Sequence, residues 1–367
     1  SKGVNIGRII LDNIISLGFP REAITLIHPN AKQINNIDTV ANLGSIPEKL
    51  DMLILAVNGE VIPELIDQVL ENDIAHGVVL VPGGFGDGER KEQLLDDVLQ
   101  KIEKSRSEDG KKVVFLGGNS LGILSRPGKY DGLFIPESKL PKTLGKHTRR
   151  SGLVSQSGAY MITRMSKLSF LDPAYAVSIG NQVDLTAADF LRYFKGVNVL
   201  DTLAFYMEGF ADLDGLEFCR AVKEALPLRK EIILYKAGRT EEGKTAMSGH
   251  TASIAGDYMV CESCLEQSGA FVAETFSEFE GLLRLSTALH AKKVRGGRLA
   301  AVSNAGYESV GIADNILGED YSLQLAHFSE KTLFSLDEFL GANGLAQLVT
   351  VANPMDVTPM ANEAVYE

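Results

Sequence analysis

Short apolar runs rich in Val, Ile and Leu alternate along the chain with longer stretches that carry an apolar residue every third or fourth position. The runs at 24–29 (ITLIHP), 52–57 (MLILAV), 77–82 (GVVLVP) and 113–118 (VVFLGG) lack the strict alternation of a half-exposed strand. They therefore predict strands buried on both faces, as in a parallel sheet. The stretches 61–71 and 89–104 predict the helices between them. This is βαβ order, which builds a doubly wound α/β sheet.

A basic, broken stretch at 137–151 (ESKLPKTLGKHTRRS) reads as a linker, after which the pattern restarts. Strands are expected at 152–156 (GLVSQ), 175–180 (YAVSIG), 199–208 (VLDTLAFYME), 231–238 (EIILYKAG) and 270–274 (AFVAE), each followed by a helix. A second boundary lies at 290–298 (HAKKVRGGR), and LAAVSN at 299–304 opens a third unit with too few elements to close a sheet. The expected domains are 1–148, 149–294 and 295–367. At the other end, SKGVNIGR is a loop entering a helix with no strand before it, so the chain reads as a fragment of a larger polypeptide. GLVSQSGAYM and LAAVSNAGYES share one plan: strand, Ser, polar, small, Gly, aromatic, helix.

Composition narrows the function classes. The chain has 367 residues, 45% hydrophobic and 23% charged, enough for two or three domains. No apolar run is long enough to span a bilayer and no signal segment opens the chain. Three cysteines cannot build a disulfide framework, and Cys261–Cys264 lacks the second half of a zinc site. The pair reads as two small apolar residues on a helix, and the compartment as reducing and cytoplasmic. A net charge of −12 argues against non-specific nucleic-acid binding. An anionic ligand would therefore depend on local backbone dipoles.

Three places could carry chemistry in the first domain. GVNIG (Gly3, Val4, Asn5, Ile6, Gly7) opens a helix and suits a phosphate at its N-terminus. VPGGF and GGNSLG put glycines at strand carboxyl ends, where open α/β sheets bind ligands. The dinucleotide reading is weakened by His28-Pro29-Asn30, which stands where NAD enzymes need a ribose-binding acid. A nucleotide-like ligand other than NAD is expected.

The second domain contains GRTEEGKT, Gly238–Thr245, a full match to the P-loop pattern. Glu241 and Glu242 would place two carboxylates in a loop meant for phosphates, and the sequence after Thr245 looks too rich in Gly and Ser for a firm helix. A P-loop NTPase is thus the weaker reading. Next comes MSGHTASIAGD, in which His250 stands among residues with almost no side chains. Neutral imidazole, with a reference pKa of ~6.5, is a competent nucleophile toward phosphorus at neutral pH. A second helix N-terminus is expected at Ser157 and Gly158, and Glu208 at a strand end could orient the ring as an outer-shell carboxylate does. The plainer alternative for His250 is a solvent-facing histidine near a helix start. His28 ends a strand beside a possible ligand, His76, His147, His290 and His327 read as surface residues, and no His/Cys cluster has metal spacing.

In combination these motifs resemble the NDP-forming acyl-CoA synthetases, relatives of the succinyl-CoA synthetase alpha subunit. SGHTASIAGD resembles their phosphohistidine segment, GGNSLGI their Gly-Pro-Asn-x-x-Gly loop, GLVSQSGAY their Ser-x-Ser-Gly phosphate helix, and VSIGNQVDL a Gly-Asn-x-x-Asp stretch. YMEGF, YKAGRTEEG and NPMDV follow in the family's order. The resemblance implies a CoA-binding Rossmann-like domain without its first strand, then flavodoxin-like succinyl-CoA-ligase domains, the last truncated. It implies the reaction acyl-CoA + ADP (or GDP) + phosphate ⇌ acid + CoA + ATP (or GTP), through an acyl phosphate and a phosphohistidine. His250 is then the phosphoryl carrier and Glu208 its orienting carboxylate. Ser157, Gly158, Ser248 and Gly249 fall around phosphate. Gly3, Val4, Asn5, Ile6, Gly7, Val57, Asn58, Pro82, Gly83, Gly84, Phe85 and Asn119 fall around CoA.

This chain departs from the family at Gly118, where the loop's Pro is expected, and at Val57–Asn58, which replaces a Pro-Ala type pair. No ATP-grasp segment is expected through Glu367, so the nucleotide and its Mg2+ are expected beyond this sequence or on a partner chain, or the nucleotide site is absent. The implied partners are CoA, a carboxylic acid or its acyl phosphate, phosphate, and an ATP-grasp domain or subunit in an oligomer, with no nucleic acid or membrane. A non-catalytic CoA-sensing module, the alternative class, is expected to lose the histidine that is kept here.

Overall fold

The first helix, Ile6–Ser16, begins at Asn5, whose side-chain oxygen accepts the N–H of Arg8 at 2.9 Å. Its apolar face sends Ile10 and Ile14 into a core shared with Val79, Val81 and Leu116. Buried Asn13 donates to the carbonyls of Leu133 (2.7 Å) and Ile135 (3.1 Å), so the helix is tied to a segment 120 residues away. Each such bond contributes about 1 kcal/mol net. The computed structural model describes residues 5–82, 89–107, 113–145, 148–248, 257–290, 292–318 and 321–366. They fall into two units, Ser1–Ala291 and Lys292–Glu367.

Three of the strands expected in the first domain form a parallel sheet in the order Leu50–Leu55, Ala75–Leu80, Val114–Gly117. Helices Ile62–Asn72 and Glu89–Ser107 make the crossovers. Ile62, Ile66, Val69, Leu80, Val98 and Phe115 fill the core between helices and sheet. The fourth expected strand, at 24–29, behaves differently. Leu26–Ile27 pairs in parallel with Ile37–Val40, which turns back on Gln33–Ile34. The turn residues Asn35 and Asn36 both have positive φ (53° and 61°), a two-residue hairpin turn of the kind asparagine tolerates.

The second sheet has seven strands, ordered Phe271–Ala273, Glu231–Lys236, Thr202–Met207, Arg149–Ser155, Pro173–Ser178, Ile123–Ser125, Tyr130–Asp131. The first five run parallel, as their continuous apolar runs predict, and Ala204, Phe205, Ile233 and Leu234 are at most 1% exposed. The last two are an antiparallel hairpin contributed by residues that precede 148. Lys129 closes its turn by donating to Arg126, and Arg126 donates from its backbone to Ala174. Arg126 also pairs with buried Asp172, which fixes the hairpin to the sheet edge.

The unit from Lys292 contains two short parallel pairs, Arg298–Leu299 with Gln324–Leu325 and Val302–Ser303 with Met355–Asp356. Its helices are Gly306–Asp314, Glu330–Ala342 and Glu363–Tyr366, around Leu340, Leu345, Val349, Met355 and Val357. The repeated motif recurs in three dimensions: in both copies a glycine, Gly158 or Gly306, is the first helical residue after the strand. Among the described residues no helix is long and apolar enough to cross a membrane.

Candidate functional site

The site forms along the carboxyl edge of the central parallel strands. Arg149–Ser155 leads into helix Gly158–Lys167, and Ser157 caps it by accepting the N–H of Tyr160 at 3.3 Å. Ser155 steadies the turn by donating its hydroxyl to the Ser157 carbonyl at 2.6 Å. Arg164 and Lys167 in the last turn complement the negative end of the helix dipole.

A Cβ added at Gly158 would lie 2.6 Å from the Leu121 Cβ and 3.2 Å from the Ser178 hydroxyl oxygen. Glycine thus lets the helix start press directly onto the 119–122 loop. That loop follows the Val114–Gly117 strand, and Asn119 turns it with a φ of 57°. The Asn119 N–H reaches the Pro82 carbonyl at 2.9 Å, and Ser120 donates to the Ser178 carbonyl at 2.7 Å. Gly180 packs on the same loop, where a Cβ would come within 2.1 Å of the Gly118 oxygen. Pro82, Asn119, Ser157 and Gly158, expected from sequence in two different roles, therefore share one continuous contact.

Glu208 ends the neighbouring strand, Thr202–Met207. The Gln156 side-chain oxygen accepts the N–H groups of both Glu208 (2.9 Å) and Gly209 (3.0 Å). Gln182 donates to the Gly209 carbonyl at 3.0 Å. Lys236, 3% exposed, donates to the carbonyls of Glu208 and Ala237, each at 2.7 Å. Burial lowers the Lys236 pKa, against the opposing pull of Cys261 and Glu208. Tyr206 stacks between Tyr160 and Tyr235, at centroid separations of 4.1 and 5.8 Å, and lies near enough to Glu208 to feel its charge. Burial, then the Glu208 charge, raises the pKa of this phenol, so it stays a protonated donor. Tyr160, buried beside it, is raised to about 12.

Gln156, Gln182, Lys236 and Tyr206 are absent from the sequence-based set of site residues. The one signal for them is placement, since a lysine or glutamine ending a buried apolar run must find partners at the sheet edge.

Helix Glu241–Ser248 follows the Glu231–Lys236 strand at this same edge and leads toward His250. His250 and Gly249 lie outside the described residues, as do Gly3, Val4, Gly83, Gly84 and Phe85. The helix accounts for the P-loop match. Its first turn is Glu241 and Glu242, and the Thr240 hydroxyl and carbonyl already accept the N–H groups of Gly243 (3.0 Å) and Lys244 (2.9 Å). Thr245 spends its hydroxyl on the Glu241 carbonyl at 2.9 Å. Amides and a hydroxyl committed inside a helix cannot cradle phosphates. The expectation that no firm helix follows Thr245 is corrected here, because the helix continues to Ser248. Only Ala246, Met247 and Ser248 extend the helix past Thr245, a short run that needs no strong propensity. Lys244 pairs with the exposed Glu241 at 2.7 Å. Lys244→Ala is expected to leave phosphorylation of His250 by acetyl phosphate within about twofold of wild type, the scale of an exposed pair. Complete loss of labelling in that variant would restore the P-loop reading.

The remaining first-domain candidates lie at strand and helix ends. Asn5, Ile6 and Gly7 form the start of the first helix, and a Cβ on Gly7 would touch only the Asn5 side chain, at 3.7 Å. Val57 follows the Leu50–Leu55 strand and is 44% exposed, unusual for valine, while Asn58 caps the turn after it. The Asn5-capped helix start and the exposed Val57 after a strand end are places where the sequence expects contacts with CoA. His28 accepts the N–H groups of Asn30 (3.2 Å) and Ala31 (2.9 Å), a local turn that occupies the place of a ribose carboxylate. All three cysteines are free, with Cys261 and Cys264 on one helix, and burial raises Cys261 to about 11. Among the described residues no group of His, Cys, Asp and Glu could hold a metal ion.

Fold and site together define a CoA-binding domain joined to a ligase flavodoxin domain. Residues 4–125 match the CoA-binding domain family, and residues 148–286 the succinyl-CoA-ligase-like flavodoxin domain family. The alpha subunit of acetate–CoA ligase [ADP-forming] I of Pyrococcus furiosus is 30% identical across the whole of this chain and 75% of its own length. The alpha subunit of the same organism's ligase II is 28% identical over 93% of this chain and 69% of its own. An acetyl-coenzyme A synthetase from Ca. Korarchaeum cryptofilum, solved with phosphate and ADP, superposes with a TM-score of 0.74 at 27% identity, over 98% of this chain and 73% of that one. The chain belongs to the family of ADP-forming acetate–CoA ligase alpha subunits, within the NDP-forming acyl-CoA synthetases.

Proposed function

We propose that this chain performs the CoA and phosphohistidine steps of a reversible ADP-forming acyl-CoA ligase, with a short carboxylic acid such as acetate as substrate. Phosphate attacks the acyl-CoA carbonyl, the C–S bond breaks, and CoA leaves as the thiol with a proton from phosphate. One nitrogen of His250 then attacks phosphorus. The P–O bond to the acyl group breaks and the carboxylate leaves with the bonding pair. The other ring nitrogen keeps its proton, which Glu208 accepts as a hydrogen bond, stabilising the cationic phosphoimidazole. The helix amides after Ser157 meet the charge of the phosphoryl group. Residues 1–148 present CoA, 149–294 carry the histidine, and 295–367 begin a second flavodoxin-like domain. An ATP-grasp partner holds ADP and Mg2+ and takes the phosphoryl group.

The observation that supports this reading is the contact of Gly158 with Leu121, two residues beyond Asn119. With phosphate at the Gly158 helix start and CoA on the 119–122 loop, an acyl phosphate formed at one has a short path to the other. Thermal melting tests the ligand. CoA at a hundredfold excess over its Kd should stabilise the chain by about 2.7 kcal/mol, and NAD should do markedly less. A larger shift with NAD than with CoA sinks the assignment.

A further inference from the structure

The peptide that carries Glu208 is held from three directions by side chains belonging to other strands and loops. Gln156 comes from the end of the Arg149–Ser155 strand and takes both N–H groups of the Glu208–Gly209 turn on one oxygen, at 2.9 and 3.0 Å. Gln182, in the loop after Pro173–Ser178, donates to the Gly209 carbonyl at 3.0 Å. Lys236, the last residue of Glu231–Lys236, donates to the Glu208 carbonyl at 2.7 Å. Two of these strands adjoin Thr202–Met207, and Pro173–Ser178 lies next beyond Arg149–Ser155. Ordinary turns satisfy their backbone by bonds within the turn or with water. This one hands both of its N–H groups and both of its carbonyls to side chains, two of which, Gln156 and Lys236, are 6% and 3% exposed.

Burying an ammonium merely to reach two backbone carbonyls is costly, because desolvation disfavours the charged form and here pulls the pKa of Lys236 down. Packing alone would be served as well by Met or Leu. What the lysine adds is a fixed position for the peptide preceding Gly209, and with it the direction in which the Glu208 side chain leaves the sheet. Tyr206, two residues earlier on the same strand, lies near enough for the Glu208 charge to act on its phenol.

We propose that Gln156, Gln182 and Lys236 are positioning residues for phosphoryl transfer, which clamp the Glu208–Gly209 peptide so that the Glu208 carboxylate meets the ring of the phosphorylated histidine. The assignment rests on the phosphohistidine reading. It makes Lys236 a residue that acts on the reaction only through Glu208, without touching substrate.

The test is a double-mutant cycle on the intact chain, read as the rate at which 32P-labelled acetyl phosphate deposits acid-labile phosphate. Lys236→Met should slow labelling about 10- to 100-fold, the usual scale for a group that orients a reacting one, with the half-saturating acetyl phosphate concentration and the CoA melting shift unchanged. Glu208→Gln should slow it by at least as much. In the Glu208→Gln background, adding Lys236→Met should cost nothing further, because the clamp then has no carboxylate to aim. Gln182→Met, which removes one bond from a half-buried side chain, should show the same pattern more weakly and serves where Lys236→Met folds poorly. Losses that multiply in the double variant would make Lys236 a structural residue and overturn the clamp, as would wild-type rates in both single clamp variants. Wild-type protein that takes no acid-labile label would instead overturn the phosphohistidine reading itself.

Discussion

His250→Asn removes all acid-labile phosphate that labelled acetyl phosphate deposits on this chain, whereas wild-type label survives alkali and is lost in mild acid. The expected loss is complete because the variant lacks the one group that the proposed mechanism uses to attack phosphorus. Asparagine keeps the size and hydrogen bonding of the position, and lacks the basic nitrogen lone pair that attacks phosphorus. Cys219 and Cys261 are poor substitutes, with burial holding both above their ordinary pKa and so in the less nucleophilic thiol form. Label that resists acid, or that persists in the variant, identifies a different acceptor and removes His250 from the mechanism.

The second large effect comes from a residue with no side chain. Gly158→Ala places a methyl 2.6 Å from the Leu121 Cβ, an atom next to the backbone that no rotamer change can move. Either the 119–122 loop or the helix start must shift. Overpacking of this kind costs about 1–3 kcal/mol. The functional loss should exceed what that stability change implies, since a displacement of 1 Å at a phosphate-binding helix can cost about 100-fold in rate. Gly281→Ala is the control. It sits on the exposed side of helix Phe276–Leu289 with nothing within 4 Å of the added methyl, and should stabilise by about 1 kcal/mol through helix propensity alone. Circular-dichroism melting and acetyl phosphate labelling on both variants separate the two consequences. A Gly158→Ala protein that labels at the wild-type rate would show that the helix start need not touch the loop.

Much of the fold is legible in the chain because parallel strands are buried on both faces and leave continuous apolar runs. All nine strands expected in the first two domains occur as strands within those runs or within a few residues of them. The motifs at Ser157, Glu208 and Asn119 were visible for a related reason, since each stands where an apolar run ends, and a strand's carboxyl end is where an open α/β sheet places its ligands.

Two kinds of feature were not legible. Short hairpins such as Gln33–Ile34 with Ile37–Val40, and Ile123–Ser125 with Tyr130–Asp131, are too brief to set up a hydrophobic period. The second takes its place in the seven-stranded sheet only through Pro173–Ser178, some 50 residues later in the chain. The polar groups that end strands were unreadable for a deeper reason. A glutamine at 156, another at 182 and a lysine at 236 carry no periodicity, and each could equally face solvent. Their common target, the Glu208–Gly209 peptide, meets them only after four strands have aligned in register and brought their ends together. Sequence alone determined which segments are strands and helices and which residue types stand at their ends, because those depend on local burial pattern. Which of those residues meet was decided by the strand order of the sheet, a long-range property set by packing that no local window contains.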